Sequence, residues 1–441
     1  MSFLERQFQV KALGSSVQTE VLAGATTFLT MAYIVVVNPA ILSSTGMPGA
    51  GVAAATCLAA GIGCILMGLA ANYPIALAPG MGLNAYFAFT VVKTMGIPWQ
   101  TALGLVFISG VLFLALTFAG VRQMIVGAIP KALFAAIAAG IGIFIAFIGL
   151  KGAGIVVANP GTTVGLGDLH SPTALLALMG LAITAVLEAW KVKGGILIGI
   201  VATAIVGWTL HLAQWTPQPY SVAEMTATAF QLDIPAALGI GGKGFGLALL
   251  EILFVFLFVD LFDNVGTLVA VTKRAGLVQP DGTIPRLNRI LFADATATVV
   301  GSLAGTSTVV SYIESAAGVS AGGRTGLTAV VCGVLFLLTL LVAPWAQAIP
   351  AAATAPALIL VGAMMMKPLA EIEWDDPVVA IPAFLTLIAI PLTFSIANGL
   401  AFGLVAFAIL KLVTRRASRS DWLLYVLAVL FIARFAYMAA G

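Results

Sequence analysis

The sequence predicts an all-α polytopic membrane protein with 14 transmembrane segments, arranged as two inverted halves of seven, and three observations carry that prediction. The chain is 61% hydrophobic and 8% charged, whereas a soluble domain is about half apolar and about a quarter charged. Apolar runs able to span a bilayer fall into two sets of seven, separated by a more polar stretch at 214–245. Lysine and arginine collect in alternate connections, as expected of short cytoplasmic loops.

The first set lies near residues 21–42, 51–70, 74–92, 99–119, 131–149, 172–190 and 194–213. The second lies near 246–272, 289–304, 306–320, 326–344, 352–366, 377–391 and 394–413. At roughly 20 residues per span, little is left for an extramembrane domain. The first twenty residues are mixed and polar, without the pattern of a signal peptide, so the N-terminus is expected in the cytoplasm. The even-numbered exits are then the basic ones: Arg122 and Lys131; Lys191 and Lys193; Lys273, Arg274, Arg286 and Arg289; Arg324; Lys367; and Arg415, Arg416 and Arg419. The stretch 214–242, expected outside, has none. A last apolar stretch, 421–438, contains Arg434 and reads either as an extra span or as an interfacial helix.

Internal repetition is faint: AIP at Ala128–Pro130 returns at Ala348–Pro350. A stronger sign is that the third and tenth runs, equivalent in the two halves, are both abnormal. The third, PIALAPGMGLNAYFAF, carries Pro74, Pro79, Gly80 and Gly82, which remove a donor or loosen the backbone. The tenth, GTSTVVSYIESAAG, is short and rich in Ser, Thr and β-branched residues, and reads as an extended piece followed by a half-helix. Non-helical backbone at membrane depth persists only where protein buries it or it lines a cavity. The two breaks should therefore face each other around a site, with Asn84 and Glu314 in equivalent positions.

The eighth run, LEILFVFLFVDLFDNVGTLVAV, has Asp260 and Asp263 near its middle, then Asn264 and Thr267. A carboxylate at the centre of a spanning helix costs about 2.5–3.5 kcal/mol, so two here and Glu314 in a broken span demand a reason. Either they bind solute and protons or they fasten helices together; for Asn84, beside Gly82 at the break, the rival reading is a helix cap. Glu188 and Glu251 lie near span ends and read as solvated, and Asp294, just inside a basic loop, reads as structural. His170 and His211 fall in or near outer loops, so carboxylates are left as the proton carriers. Cys57, Cys64 and Cys332 sit inside apolar runs and read as core. No metal cluster, nucleophile cluster, cofactor motif or phosphate-binding loop is present in the sequence, which argues against an enzyme and against ATP as the driver. A net charge of +3 with scattered basic residues gives no footprint for nucleic acid. Carboxylates accept from ring N–H and amino groups and, when protonated, donate to a ring nitrogen. A neutral heterocycle therefore fits better than an anion, which would want arginine or lysine.

Four segments then resemble one family along essentially the whole chain: TFLTMAYIVVVNPAIL, ANYPIALAPGMGLNAYFAF, FLFVDLFDNVGTL and TSTVVSYIESAAGVSAGGRTGLTAVV. They are similar to the AzgA-like branch of the nucleobase:cation symporter-2 (nucleobase-ascorbate transporter) superfamily. The resemblance implies proton symport of adenine, guanine and hypoxanthine across the inner or plasma membrane by alternating access. It also implies the uracil-transporter fold, with short antiparallel strands in spans 3 and 10. Core-domain segments at 1–125 and 246–345 would alternate with gate-domain segments at 126–215 and 346–441, with a homodimer formed through the gate. By motif, Asp263, Glu314, Asn84 and Gly82, with Ser307 and Thr308, are expected to bind substrate, and Asp260, Asp263 and Glu314 to couple the proton. Where the uracil branch has a histidine after its eighth-span acid, this chain has Thr267, so histidine-assisted coupling is not implied. The alternatives are xanthine or a pyrimidine as substrate, or an anion transporter of the same fold.

Overall fold

A computed structural model of the chain describes residues 3–118, 131–212, 221–240, 246–279, 283–418 and 421–440. Helix α1 (Phe3–Phe8) precedes α2 (Val17–Met31) and α3 (Ile34–Leu42), which form one apolar segment from Val17 to Thr45. Ser16 starts α2 by accepting the Thr19 N–H, a side-chain cap for an otherwise orphaned donor. α4 (Gly49–Leu66) runs on through a π-helical turn to Ala71. The third run breaks into β1 (Leu77–Pro79) and α5 (Met81–Ala85), which continues as a π-helical stretch, Tyr86–Thr94. α6 (Trp99–Phe118), α7 (Lys131–Gly152), the strands β2 (Val156–Asn159) and β3 (Thr163–Leu166), α8 (Pro172–Ala189) and α9 (Gly195–Thr209) complete the first half. Two short helices, α10 (Val222–Met225) and α11 (Ile234–Ala237), lie in the intervening stretch.

The second half has α12 (Leu247–Arg274), α13 (Leu287–Ala304), β4 (Val309–Ser311), α14 (Ser315–Ser320), α15 (Gly326–Thr339), α16 (Ala351–Met364), α17 (Pro377–Thr393), α18 (Ile396–Val413) and α19 (Trp422–Ala440). Among the described residues, eight helical segments are long and apolar enough to cross a membrane, and α9, α15, α17 and Trp422–Ala433 are shorter apolar helices. The chain is a mostly helical, multi-pass membrane protein. Ala128–Pro130, Arg122 and Arg419 lie outside the described residues.

One connection has a strand pairing that the reading of the apolar runs did not address. β2 and β3 form an antiparallel hairpin, with Val156 opposite Leu166 and Asn159 opposite Thr163. Its turn is closed by the Asn159 Oδ1, which accepts the backbone N–H groups of Gly161 and Thr162 at 2.8 and 3.2 Å. An Asn side chain mimicking a backbone acceptor is ordinary turn chemistry. The NPG signal is present in the sequence, but a hairpin of eight residues leaves no mark on a search for long apolar runs.

Helix contacts fall into two sets. α2 to α6 pack with α12 to α15, chiefly α6 on α13 and α15 on α4 and α2. α7 to α9 pack with α16 to α18, chiefly α7 between α16 and α17. Small residues allow the close approaches, as is usual where apolar solvent gives helices no hydrophobic reason to associate. A Cβ on Gly333 would stand 2.6 Å from the Gly61 carbonyl oxygen, and one on Gly142 would stand 2.7 Å from that of Gly362. Gly305 ends α13 at φ +100°, a conformation that side chains rarely adopt.

The last helix is held by charge and by rings. Lys411 near the end of α18 bonds both Asp421 carboxylate oxygens at 2.7 Å, just ahead of α19. Phe431 of α19 stacks edge-on against Phe254 of α12. Arg416 pairs with Asp376 ahead of α17; its guanidinium, helped by the Val378 backbone N–H, holds the Asp376 carboxyl below the usual carboxylate range.

Gly326 opens α15 where a Cβ would meet the Gly68 carbonyl and stand 2.8 Å from the Asn72 Cα. Gly326→Val should destabilise the protein by about 1–3 kcal/mol, the usual cost of overpacking against backbone. A lowered melting temperature in detergent would register it, and an unchanged one would show that α15 moves aside freely.

Candidate functional site

β1 and β4 pair antiparallel, Leu77 opposite Ser311, Ala78 opposite Val310 and Pro79 opposite Val309, with all six residues buried. Pro79 supplies no N–H, and its carbonyl is taken by the Tyr312 hydroxyl at 2.5 Å. The ladder extends outward: Gly80 N–H donates to the Thr308 carbonyl at 2.9 Å and Tyr312 N–H to that of Ala76 at 3.0 Å. Side chains satisfy the outer edges. Thr298 Oγ1 accepts the Val309 N–H at 3.1 Å and donates to the Val309 carbonyl at 2.9 Å, while Cys64 Sγ serves both polar groups of Leu77. Backbone at this depth must find partners within the protein, and here it does.

Two half-helices leave this crossing. α5 begins at Met81, and Asn84 lies in its first turn, with its backbone N–H bonded to the Gly80 carbonyl at 2.8 Å. The Asn84 side-chain oxygen accepts from the Ser307 hydroxyl, so the breaks in the two halves touch directly. Asn84, Ser307 and Thr308 are fully buried. The Asn84 Nδ2, the Thr308 hydroxyl and the Ser311 hydroxyl have no partner among the described residues. Gly82 leaves room for α7: a Cβ there would stand 2.5 Å from Ile141 Cγ2. The Asn84 side chain does not act as a helix cap.

Glu314 immediately precedes α14 and is half-buried. Its carboxylate accepts the Tyr33 hydroxyl at 2.7 Å. Asp263 on α12 is also half-buried and lies within electrostatic range of Glu314, and Tyr312 lies within range of both. Asp260 is placed differently. It is fully buried and accepts from Asn264 Nδ2 at 2.9 Å. The same nitrogen donates to Asp294 at 2.7 Å, and the Asn264 oxygen accepts the Ser311 backbone N–H at 2.8 Å. α12, α13 and β4 are thus joined through one amide.

The sites read from sequence therefore divide. Asn84, Ser307, Thr308 and Gly82 meet at the strand crossing, and Asp263 and Glu314 are electrostatic neighbours beside it, while Asp260 belongs to a fully buried cluster with Asn264 and Asp294. Glu188 is half-buried and within electrostatic range of Glu314. Sequence reasoning passed over Tyr33, the bridging role of Asn264, and Asn38, whose Nδ2 donates to Thr56 and Thr306 at 2.7 and 2.9 Å. It also passed over Glu20, fully buried, whose carboxylate accepts from Arg324 N–H, Thr325 N–H and the Thr328 hydroxyl. Each is a polar group inside or at the edge of an apolar run, and that signal was available.

Known proteins can be set beside this geometry. Residues 18–402 match the Permease family. The chain is 43% identical to the adenine permease AdeP of Escherichia coli over 437 residues, which cover 99% of this chain and 97% of that protein. It is 45% identical to the guanine/hypoxanthine permease PbuG of Bacillus subtilis over 443 residues, covering 98% and 99%. Among solved structures, the transmembrane domain of a cyanobacterium bicarbonate transporter, BicA, superposes with a TM-score of 0.65 at 17% identity, covering 88% of this chain and 97% of that one. That likeness is one of fold alone.

Asn264→Leu removes two donors from carboxylates and one acceptor from β4. A loss of about 1–3 kcal/mol for each bond is expected, seen as a large fall in melting temperature. A variant as stable as the parent would show that the amide bridge does not hold α12, α13 and β4 together.

Proposed function

Because this chain belongs to the Permease family, we propose that it imports purine nucleobases, adenine, guanine and hypoxanthine, by proton symport across the plasma membrane. The observation that carries the reading is the pair of half-buried carboxylates, Asp263 and Glu314, beside a strand crossing built from two broken spans. It is supported by identity over nearly the full length to permeases named for adenine and for guanine and hypoxanthine. The carboxylates accept from the ring N–H and amino edge of a base, and Asn84 Nδ2 and the Thr308 hydroxyl offer polar contacts that protein does not use. Asp260 holds the proton or shares it.

In this reading the chain has fourteen spans in two inverted halves, with the N-terminus in the cytoplasm. α2 to α6 with α12 to α15 form a core, and α7 to α9 with α16 to α18 form a gate. Core moves against gate to expose the crossing alternately to each side, and two copies associate through the gate. Gly82 against Ile141 marks one point where core and gate touch, so bulk added there restricts the motion. The fold likeness to a bicarbonate transporter raises an anion as the cargo, but carboxylates at the crossing oppose an anion electrostatically. Xanthine or a pyrimidine is the nearer alternative.

Uptake of radiolabelled adenine, guanine, hypoxanthine, xanthine and uracil, in cells lacking their own base permeases, tests this. Purine uptake that a proton uncoupler abolishes is expected; absent purine uptake by protein shown to be in the membrane would overturn the substrate. Glu314→Gln should reduce uptake at least about tenfold, in keeping with the loss of a bond to an ionised group, at unchanged membrane abundance. Normal uptake by that variant would remove Glu314 from the site.

A further inference from the structure

The first apolar segment is interrupted as well. α2 ends at Met31 and α3 begins at Ile34, with Ala32 and Tyr33 as a turn between them. Local bonding marks the interruption. The Thr30 hydroxyl folds back onto the Thr26 and Thr27 carbonyls at 3.2 and 2.8 Å, a bond that often bends helices. The Tyr33 carbonyl starts α3 by accepting the Val36 and Val37 N–H groups. Tyr33 itself is 1% exposed, and its hydroxyl reaches Glu314, 281 residues further along the chain, at 2.7 Å.

A buried tyrosine needs a partner for its hydroxyl, and a backbone carbonyl suffices: Tyr73 donates to that of Pro285 at 2.8 Å and Tyr312 to that of Pro79 at 2.5 Å. Tyr33 donates instead to a half-buried carboxylate beside the strand crossing. A donor so deeply buried reaches Glu314 from within the protein. It takes one of about four acceptor positions on the carboxylate, and the accessible part of Glu314 is left to a solute.

Tyr33 and Glu314 stand on one frame. α14 lies against α2, where a Cβ on Gly318 would meet Thr27 Oγ1 and stand 2.7 Å from the Ala23 carbonyl oxygen. Near the start of α2, the Glu20 carboxylate holds Arg324 N–H, Thr325 N–H and the Thr328 hydroxyl around the start of α15. The residues flanking Glu314 are tied to the β1 segment, Tyr312 through Pro79 and Ser315 by accepting the Ala76 N–H at 2.9 Å. The backbone at Glu314 is thus fixed from both sides. What remains to be set is the direction of its carboxylate, and the Tyr33 hydroxyl sets it.

We infer that Tyr33 is a positioning residue for the transported base: its hydroxyl holds the Glu314 carboxylate in the orientation that meets the base. The inference rests on the purine reading and adds the turn in the first apolar segment to that site. Tyr33 acts through Glu314 and does not itself touch the base. With the hydroxyl in place, the carboxylate is ordered before the base arrives; without it, the long glutamate side chain must be ordered by the base, which weakens binding.

The test is the saturation kinetics of hypoxanthine uptake by the full chain, in cells lacking their own base permeases, with membrane abundance measured alongside. Tyr33→Phe removes one oxygen and keeps the ring. Its KM should rise at least about fivefold, in keeping with the loss of a bond to an ionised group, while the maximal rate per transporter stays within about twofold. Tyr73→Phe, the same deletion at a hydroxyl bonded to a carbonyl, should leave KM within about twofold. Added to Glu314→Gln, Tyr33→Phe should lower kcat/KM by no more than about a further twofold, because the charged group it orients is already gone. An unchanged KM in Tyr33→Phe overturns the role, and so does a full further loss on top of Glu314→Gln or an equal rise in Tyr73→Phe. Failure of Tyr33→Phe to reach the membrane marks a structural fastening and overturns it too. Parent protein that moves no purine overturns the purine reading itself and this inference with it, a different failure, visible before any variant is compared.

Discussion

The structure depends on one constraint: peptide groups freed from helices at membrane depth must be bonded inside the protein. Pro79 and the glycines around it prevent a continuous helix in the apolar run at 74–92, and the Ser- and Thr-rich run at 306–320 is extended at Val309–Ser311. Each break alone would expose unpaired N–H and C=O groups, at several kcal/mol apiece. Pairing β1 with β4 lets each break satisfy the other. Thr298, Cys64, Tyr312 and Asn264 then take up the groups that the three-residue strands leave over. The two halves of the chain are joined at their least helical points, and two half-helices start from one place.

That junction orders the carboxylates. Glu314 follows β4 by three residues and Asp263 faces it from α12, each half-buried. Asp260, one turn away on the same helix, is sealed against Asp294 with an amide between them. Four acids close together in a membrane are tolerable because they differ in exposure and in donors: Glu314 has the Tyr33 hydroxyl, and Asp260 and Asp294 share Asn264. In the proposed cycle the half-buried acids meet the base, and Asp260 holds the proton or shares it.

Much of this was legible beforehand. The many membrane crossings and both breaks followed from hydropathy and from proline and glycine placement, because a bilayer imposes a strict length and polarity on whatever crosses it. The hairpin β2 and β3 was not, since a connection outside the apolar runs answers to turn chemistry alone. Glu20 escaped notice because it stands at a helix start, where acids are common. Its carboxylate instead reaches some 300 residues along the chain to the loop before α15. Tyr33 and Asn38 escaped because single polar residues in an apolar run do not announce their partners.

The sequence by itself determined that the chain crosses the membrane many times, where two apolar runs break, and that Asp260 and Asp263 stand in the middle of one run, because these follow from local composition and from the cost of burying polar groups. Only the tertiary structure decided the register in which the two breaks pair, that Asn84 touches Ser307, and that Asp260 and Asp294 share Asn264 while Asp263 is near Glu314. Asp260 and Asp263 are three residues apart on one helix, and nothing local distinguishes them. Their difference comes from what α13 and α14 place opposite each, and such contacts are set by packing between segments distant in the chain.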